Sequence, residues 1–561
     1  MHHLLFEPIT EQKVKQNSFH KLKKVNYQQI QGKVVRKITI ATLDPFGYSA
    51  GDTLKKPDGF LAKSGNFLHA KTHRFAIANI LLIKRNKPLD SLLVKESERL
   101  IRSQRFVRSV VITTKLVSAD SVDVSIRVLD SWSLVPDISI SSTKSSFYLK
   151  EKNFFGTGHE FSNSYTNDLT SSRNGFGSSY TVPNIMHTFI KTTVSYSTDI
   201  KGNYSKVFNI ERPFFSPYAR WAAGINLDQQ FEIITTVDEN LVETLQNSKY
   251  NSYDFWAGHS YQIFKGNTEY KRATNFITTA RFFNKNYIEK PIIGEDSLGI
   301  YSNEKLYLIG LGISSRKFTQ DKYVFNFDVI EDIPSGFAYS ITTGYQDKND
   351  QFRFYFGAKI NLGSYFEFGY LSGKFEYGAF FNNNQTEQGA YNLSLIYFTN
   401  LIESGAGRWK FRQFIKPQAI IGTKRLNSKT DELTLNGATG IQGFNSKTLY
   451  GTKKILITFQ TQGYSPWQVY GFRLNPFINY TMGMLGQDNI GFSKSKLYSE
   501  LGVGVIISND YLVFNNFQFS FSYFPNLPID QTALFNTNSI KSYDLGLQTF
   551  EVAEPLLVEY K

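Results

Sequence analysis

The chain has 561 residues, 41% hydrophobic and 16% aromatic, with 49 Phe and 33 Tyr against 4 Met and no cysteine. Without cysteine there is no disulfide framework, thiol chemistry or Cys-ligated zinc. The longest apolar stretch, Phe75 to Ile83, is about half the ~20 residues a membrane-crossing helix needs. The net charge of +14 is lopsided: residues 1–131 carry 23 Lys/Arg against 11 Asp/Glu, a net of +12, which leaves +2 for the rest of the chain.

A basic segment, residues 1–33, comes first. Its Lys21, Lys23, Lys24 and Lys33 run on into Arg36 and Lys37. Such a run suits anionic lipid head groups or acidic client chains; a nucleic-acid partner is not expected, because no recognition fold accompanies it. Residues 34–131 read as mixed α/β. Val34–Ile40 is β-branched and predicts a strand, and residues 41–68, rich in Gly, Pro and Asp, predict a long loop. Phe75–Ile83 is taken as a first helix. Asp90 caps a second, with Leu92, Leu93, Leu100 and Ile101 as its apolar face. Strands follow at Phe106–Ile112 and Ser121–Val128, the latter alternating without a break. The predicted order is strand, helix, helix, strand, strand.

From about Trp132 the pattern changes and does not revert. Segments of roughly ten residues alternate between polar and apolar positions, separated by turns rich in Asn, Gly, Asp and Ser. Phe189–Tyr196, Phe354–Ile360 and Phe517–Phe524 are examples. A soluble sandwich or propeller also alternates, but there is no blade repeat, and aromatics gather at the segment ends. The pattern predicts one closed antiparallel transmembrane β-barrel over 132–561, polar within and apolar outside. Nineteen candidate strands are found. An exported barrel calls for a signal peptide; Met1–Glu7 lacks the basic start, apolar stretch and cleavage site of one, so the expectation is an upstream start or a processed chain.

Four stretches carry a resemblance. Residues 34–131 resemble a POTRA domain, with Glu96–Val107 similar to its second helix and following strand and Asp130–Leu134 similar to its exit. Glu151-Lys-Asn153-Phe-Phe-Gly156-Thr-Gly158 is similar to an early barrel motif, and Leu501–Ile507 with Phe517–Pro525 to closing strands. Together they resemble the bacterial surface antigen superfamily of the BamA/TamA type, in which POTRA domains precede a sixteen-stranded barrel. That resemblance implies a periplasmic domain at 34–131, an outer-membrane barrel at 132–561, and an assembly or translocation factor with no cofactor and no catalysis. The implied partners are outer-membrane lipid, unfolded or extended client proteins, and accessory periplasmic or outer-membrane proteins.

The same family carries a Val-Arg-Gly-Phe/Tyr motif in its sixth extracellular loop, folded into the lumen and paired with a wall aspartate. Here Ile441-Gln442-Gly443-Phe444 stands in that place, and Asn479 takes the position of the aspartate. The departure reads as a paired loss of both charges, with an amide–amide contact in their stead. Other chemistry is not expected. His69 and His73 read as solvated surface, His159, His187 and His259 as lumen or rim residues, and Glu331-Asp332 as a strand-ending turn. Two further functions stay open: a transport pore for a small solute or secreted protein, and a barrel hydrolase acting on lipid.

Overall fold

The computed structural model describes residues 28–237, 243–291, 299–383, 385–426, 428–469, 472–509, 517–537 and 546–561. Lys21, Lys23 and Lys24 therefore lie outside the described residues.

The small domain is a three-stranded sheet under helices. Its elements are β1 (Val34–Leu43), α1 (Phe60–Leu68), α2 (Arg74–Ala78), α3 (Ser91–Arg102), β2 (Val107–Leu116) and β3 (Ser121–Asp130). The sheet order is β1-β3-β2, with β1 parallel and β2 antiparallel to β3. Ile77, Ile101, Val122 and Ile126 fill the core. Three sequence expectations are corrected. The stretch read as a loop contains α1, which lies so close to Phe46 that a Cβ on Gly65 would stand 2.8 Å from its ring. The expected helix at Phe75–Ile83 stops at Ala78, because the Leu82 N–H is taken by the Ser97 hydroxyl (2.9 Å). Asp90 does cap α3, its carboxylate accepting from Leu92 N at 3.0 Å. The buried face of that helix, however, is Val94, Ser97, Leu100 and Ile101, with Leu92 and Leu93 only half-buried.

From Leu134–Ile140 to Phe535–Thr537, twenty-two strands join one antiparallel sheet in barrel order. Two are short pieces at the feet of neighbours, Ile402–Ser404 and Gln468–Val469; the strands on either side of each pair directly across them. Twenty therefore make the wall among the described residues, near the nineteen candidates read from alternation and more than the sixteen implied by the resemblance. The order brings the last strand beside the first, although no register pair across that seam falls among the described residues.

Alternation separates the two faces. Along Glu304–Lys322, Tyr307, Ile309, Leu311 and Ile313 stand exposed on the outside, while Leu306, Leu308, Gly310 and Gly312 are buried within. Exposed aromatics edge the outer band, among them Trp221 beside His259 and Trp467 against the half-buried Trp409 at the end facing the small domain. Such a girdle fits the boundary between lipid and water. The inside has two sectors. From Leu134–Ile140 to Tyr204–Arg212 the strands are 7–11 residues long and mostly half-exposed on both faces. Hydroxyls face each other across them, Ser146 with Thr166 (3.0 Å) and Thr181 with Thr193 (2.9 Å). From Trp221–Val237 onward the inner face carries buried polar side chains, among them Gln346, Asn361, Glu376, Asn392 and Gln460, and apolar clusters are set among them. Ile420, Leu456 and Leu485 form one, and Tyr370, Phe398 and Phe414 another. Residues 546–561 occupy part of this side.

Candidate functional site

The junction between small domain and barrel is built around Asn153, which is fully buried. Its amide donates to Thr72 Oγ1 (2.9 Å) and its carbonyl oxygen accepts from Gly158 N (2.8 Å). Gly156 has φ +71°, and its carbonyl accepts from His73 N at 2.8 Å. A Cβ there would lie 2.2 Å from the Lys71 carbonyl oxygen. A β-branched residue fits neither that angle nor that space. Gly156→Val is expected to cost about 1–3 kcal/mol and to expose residues 69–73 to protease while the barrel stays intact. The same junction corrects the reading of His69. Its ring is buried 3.1 Å from Asp130 Oδ2, which also accepts from Thr72 N at 2.8 Å. The bond joins residues 61 apart, so local sequence carried no sign of it. His73 is exposed and stacks on Phe75.

Further round the same mouth, α3 meets the barrel through charge. Arg102 makes a bidentate pair with Asp332 (2.8 and 2.9 Å) and reaches Glu98 at 3.3 Å. Burial pushes the Glu98 carboxyl up, against the pull of Arg102. Lys95 pairs with Glu269 at 2.7 Å, and Arg272 with Asp90. Glu331 and Asp332 do not form the strand-ending turn expected from sequence: both lie in the strand Ile330–Lys348, from which Glu331 accepts from the backbone N–H groups of Val324, Phe325 and Asn326 in the turn before it.

At the opposite mouth, the chain between Trp409–Thr423 and Lys453–Tyr464 folds inward. Ile441 to Phe444 is a tight turn, Phe444 N donating to Ile441 O at 3.1 Å, with Gly443 at φ +84°. Ile441 and Phe444 are buried, the Phe444 ring against Tyr498 and Phe524, while Gln442 is half-buried. Asn479 lies on the inner wall and its amide donates to Glu500 Oε2 (2.8 Å) and Thr481 Oγ1 (3.0 Å). Both amide hydrogens are thereby used. The wall here does hold a carboxylate, Glu500, fully buried on the next strand. A buried cation is present too. Lys454 rises from the wall to the loop carbonyls of Thr439 (3.0 Å) and Thr434 (3.4 Å). Charge here belongs to the wall and not to the loop tip, which single-sequence alignment by motif does not reveal. Lys454→Met is expected to cost about 1–3 kcal/mol by removing the buried ammonium's bonds to two loop carbonyls, seen as faster hydrogen exchange at 434–440.

Sequence reasoning also missed residues 546–561, which lack strand periodicity. They lie along the inner wall. Ser314 donates to Phe550 O (2.8 Å), Arg316 pairs with Glu551 (2.7 Å), Val558 N donates to the Tyr355 hydroxyl (2.8 Å) and the Tyr560 hydroxyl to Thr452 O (2.7 Å).

No family model matches the sequence, and no curated protein matches it. Several solved structures are similar to the chain. CdiB from Escherichia coli has 10% identity, 91% of this chain and 75% of that one being covered, with a TM-score of 0.44. CdiB from Acinetobacter baumannii has 11% identity, with coverage of 95% and 94% and a TM-score of 0.41. BamA from Haemophilus ducreyi lacking POTRA domains 1-3 has 10% identity, with coverage of 90% and 83% and a TM-score of 0.37.

Proposed function

We propose that this chain is an outer-membrane factor for the insertion or translocation of other proteins, with residues 34–131 in the periplasm and 132–561 in the membrane. One observation carries the reading. The sheet edge formed by β2 has no strand against it among the described residues, and it begins at the foot of the open, hydroxyl-lined sector. There Phe106 lies against Gly158, and Arg105 reaches Glu160 at 3.2 Å. An extended client would add to that edge through backbone hydrogen bonds, which give affinity with little sequence preference. It would then pass to the adjoining short strands beside the seam. On this reading Ile441–Phe444 is a loop tip held in the lumen, with Gln442 donating to the remaining acceptor of Asn479, its Oδ1.

The test uses liposomes holding the full chain and an unfolded barrel client. Faster acquisition of heat-resistant, protease-protected client than in empty liposomes supports the proposal; equal rates overturn it. Steady single-channel conductance without client folding would point to the transport pore instead.

A further inference from the structure

We propose that the packed inner wall is a binding site for an extended peptide, and that residues 546–561 are its resident occupant. The path runs the height of the barrel. Leu547 joins the Tyr370–Phe398–Phe414 cluster near the mouth facing the small domain, and Tyr560 bonds Thr452 near the other. At ~3.3 Å per residue an extended chain of that length covers roughly 45 Å.

The wall is recessed where the segment's side chains come closest. Five inner-face glycines follow the path, and a Cβ on any of them would crowd one of those side chains. The clearances are 2.3 Å from Gly363 to Phe550, 2.8 Å from Gly312 to Val552, 3.2 Å from Gly310 to Pro555, 2.9 Å from Gly378 to Val558 and 2.4 Å from Gly422 to Tyr560. Glycine weakens a strand interior, and its recurrence here marks close approach by another chain. The bonds to the segment's backbone come from side chains of the wall: Ser314 to Phe550 O, Arg281 to Pro555 O (3.3 Å) and the Tyr355 hydroxyl at Val558 N. Such contacts read an extended backbone more than a sequence. Arg316 on Glu551 adds a preference for an acid next to an apolar residue. The seat is also incompletely packed. A cavity of about 260 Å³, lined by Lys359, Lys374, Glu376 and Glu559 among others, separates part of the segment from the wall. A permanent core element would be close-packed; a polar gap is what an exchangeable occupant leaves. The ligand class is therefore an extended peptide in which apolar residues and acids adjoin.

The probe is a fluorescent synthetic peptide of residues 546–561, offered to the purified full chain and to a chain ending at residue 545. In the full chain the tethered segment competes at millimolar effective concentration. The shortened chain should therefore bind at least tenfold tighter, and its single-channel current should rise and then fall as peptide is added. Arg316→Glu in the shortened chain should weaken binding at least tenfold. A shortened chain that folds but neither binds peptide nor gains current overturns the proposal. Should shortening prevent folding, the full chain with Gly310→Cys and Pro555→Cys serves, since no other cysteine is present. The two Cβ positions stand 3.2 Å apart, a few tenths of an ångström under disulfide range, and Thr279→Ala is added because Thr279 Oγ1 lies 2.4 Å from the new Cβ. Oxidation should hold the current low and exclude millimolar peptide, and reduction should release both. Identical current and binding in the two states would refute the site. None of these readouts involves client insertion, so failure here and failure of the assembly reading are separable.

Discussion

Arg102→Ala is expected to destabilise the docking of the small domain by about 3–5 kcal/mol, the cost of leaving a buried charge without its partner. The guanidinium is 7% exposed and Asp332 14%, so water cannot take over from the lost bonds. Removing it leaves Asp332 and Glu98 facing one another with no cation between them. Asp332→Ala should cost less than this, because Arg102 keeps Glu98. The double variant should be closer to Arg102→Ala than to the sum, since the two residues share one interaction. pH gives a second handle. Glu98 already titrates above its ordinary value through burial, and without Arg102 it rises further. A carboxyl raised in the folded state destabilises when charged, so the loss is full at neutral pH and shrinks as the pH falls through the folded value. Hydrogen exchange across α3 reads both effects. Single variants within 0.5 kcal/mol of the parent would show that the pair does not hold the domain.

Phe444→Ala should have an effect of similar size, confined to the opposite mouth. The ring is 2% exposed and packs with Ile420, Leu435, Leu456, Leu485, Tyr498 and Phe524. Truncating a buried Phe costs about 3–5 kcal/mol through lost transfer energy and the cavity left behind. The wall strands have their own ladders, so the loss should appear as loosening of residues 428–452 while the barrel stays folded. Limited proteolysis would show new cuts there. Phe444→Leu keeps much of the volume and should cost less than about 1.5 kcal/mol. Unchanged protection in Phe444→Ala would mean that Lys454 and the Asn436–Ser446 bonds hold the loop by themselves.

What could be read from sequence was whatever has a short period. The alternation from Trp132 onward becomes a barrel wall because neighbouring side chains on a strand point to opposite faces. Asp90 announces a helix start because the cap lies two residues from the N–H it accepts. The Glu151–Gly158 stretch is singled out by its resemblance alone; the left-handed angles of Gly156 and Gly158 emerge only in the structure. What failed was long-range. His69 looked solvated because its partner, Asp130, is sequence-distant. Glu500 and Lys454 were overlooked because their task depends on which strands adjoin and on where a loop folds. The strand count implied by the resemblance fell short because a resemblance carried by four short stretches says nothing of how many hairpins lie between them. Residues 546–561 offered no periodicity, since they pair with side chains rather than with a strand.

The two-sector interior has a mechanical consequence. The strands from Trp221–Val237 to Gln385–Thr399 are 14–20 residues long, and residues 546–561 are bonded along the inner face of several of them, so that side resists bending. The side from Leu134–Ile140 to Tyr204–Arg212, with ladders of 7–11 residues, resists it far less. A load on the wall is therefore not shared evenly around the circumference. It deforms the thin arc first, and that arc adjoins the seam.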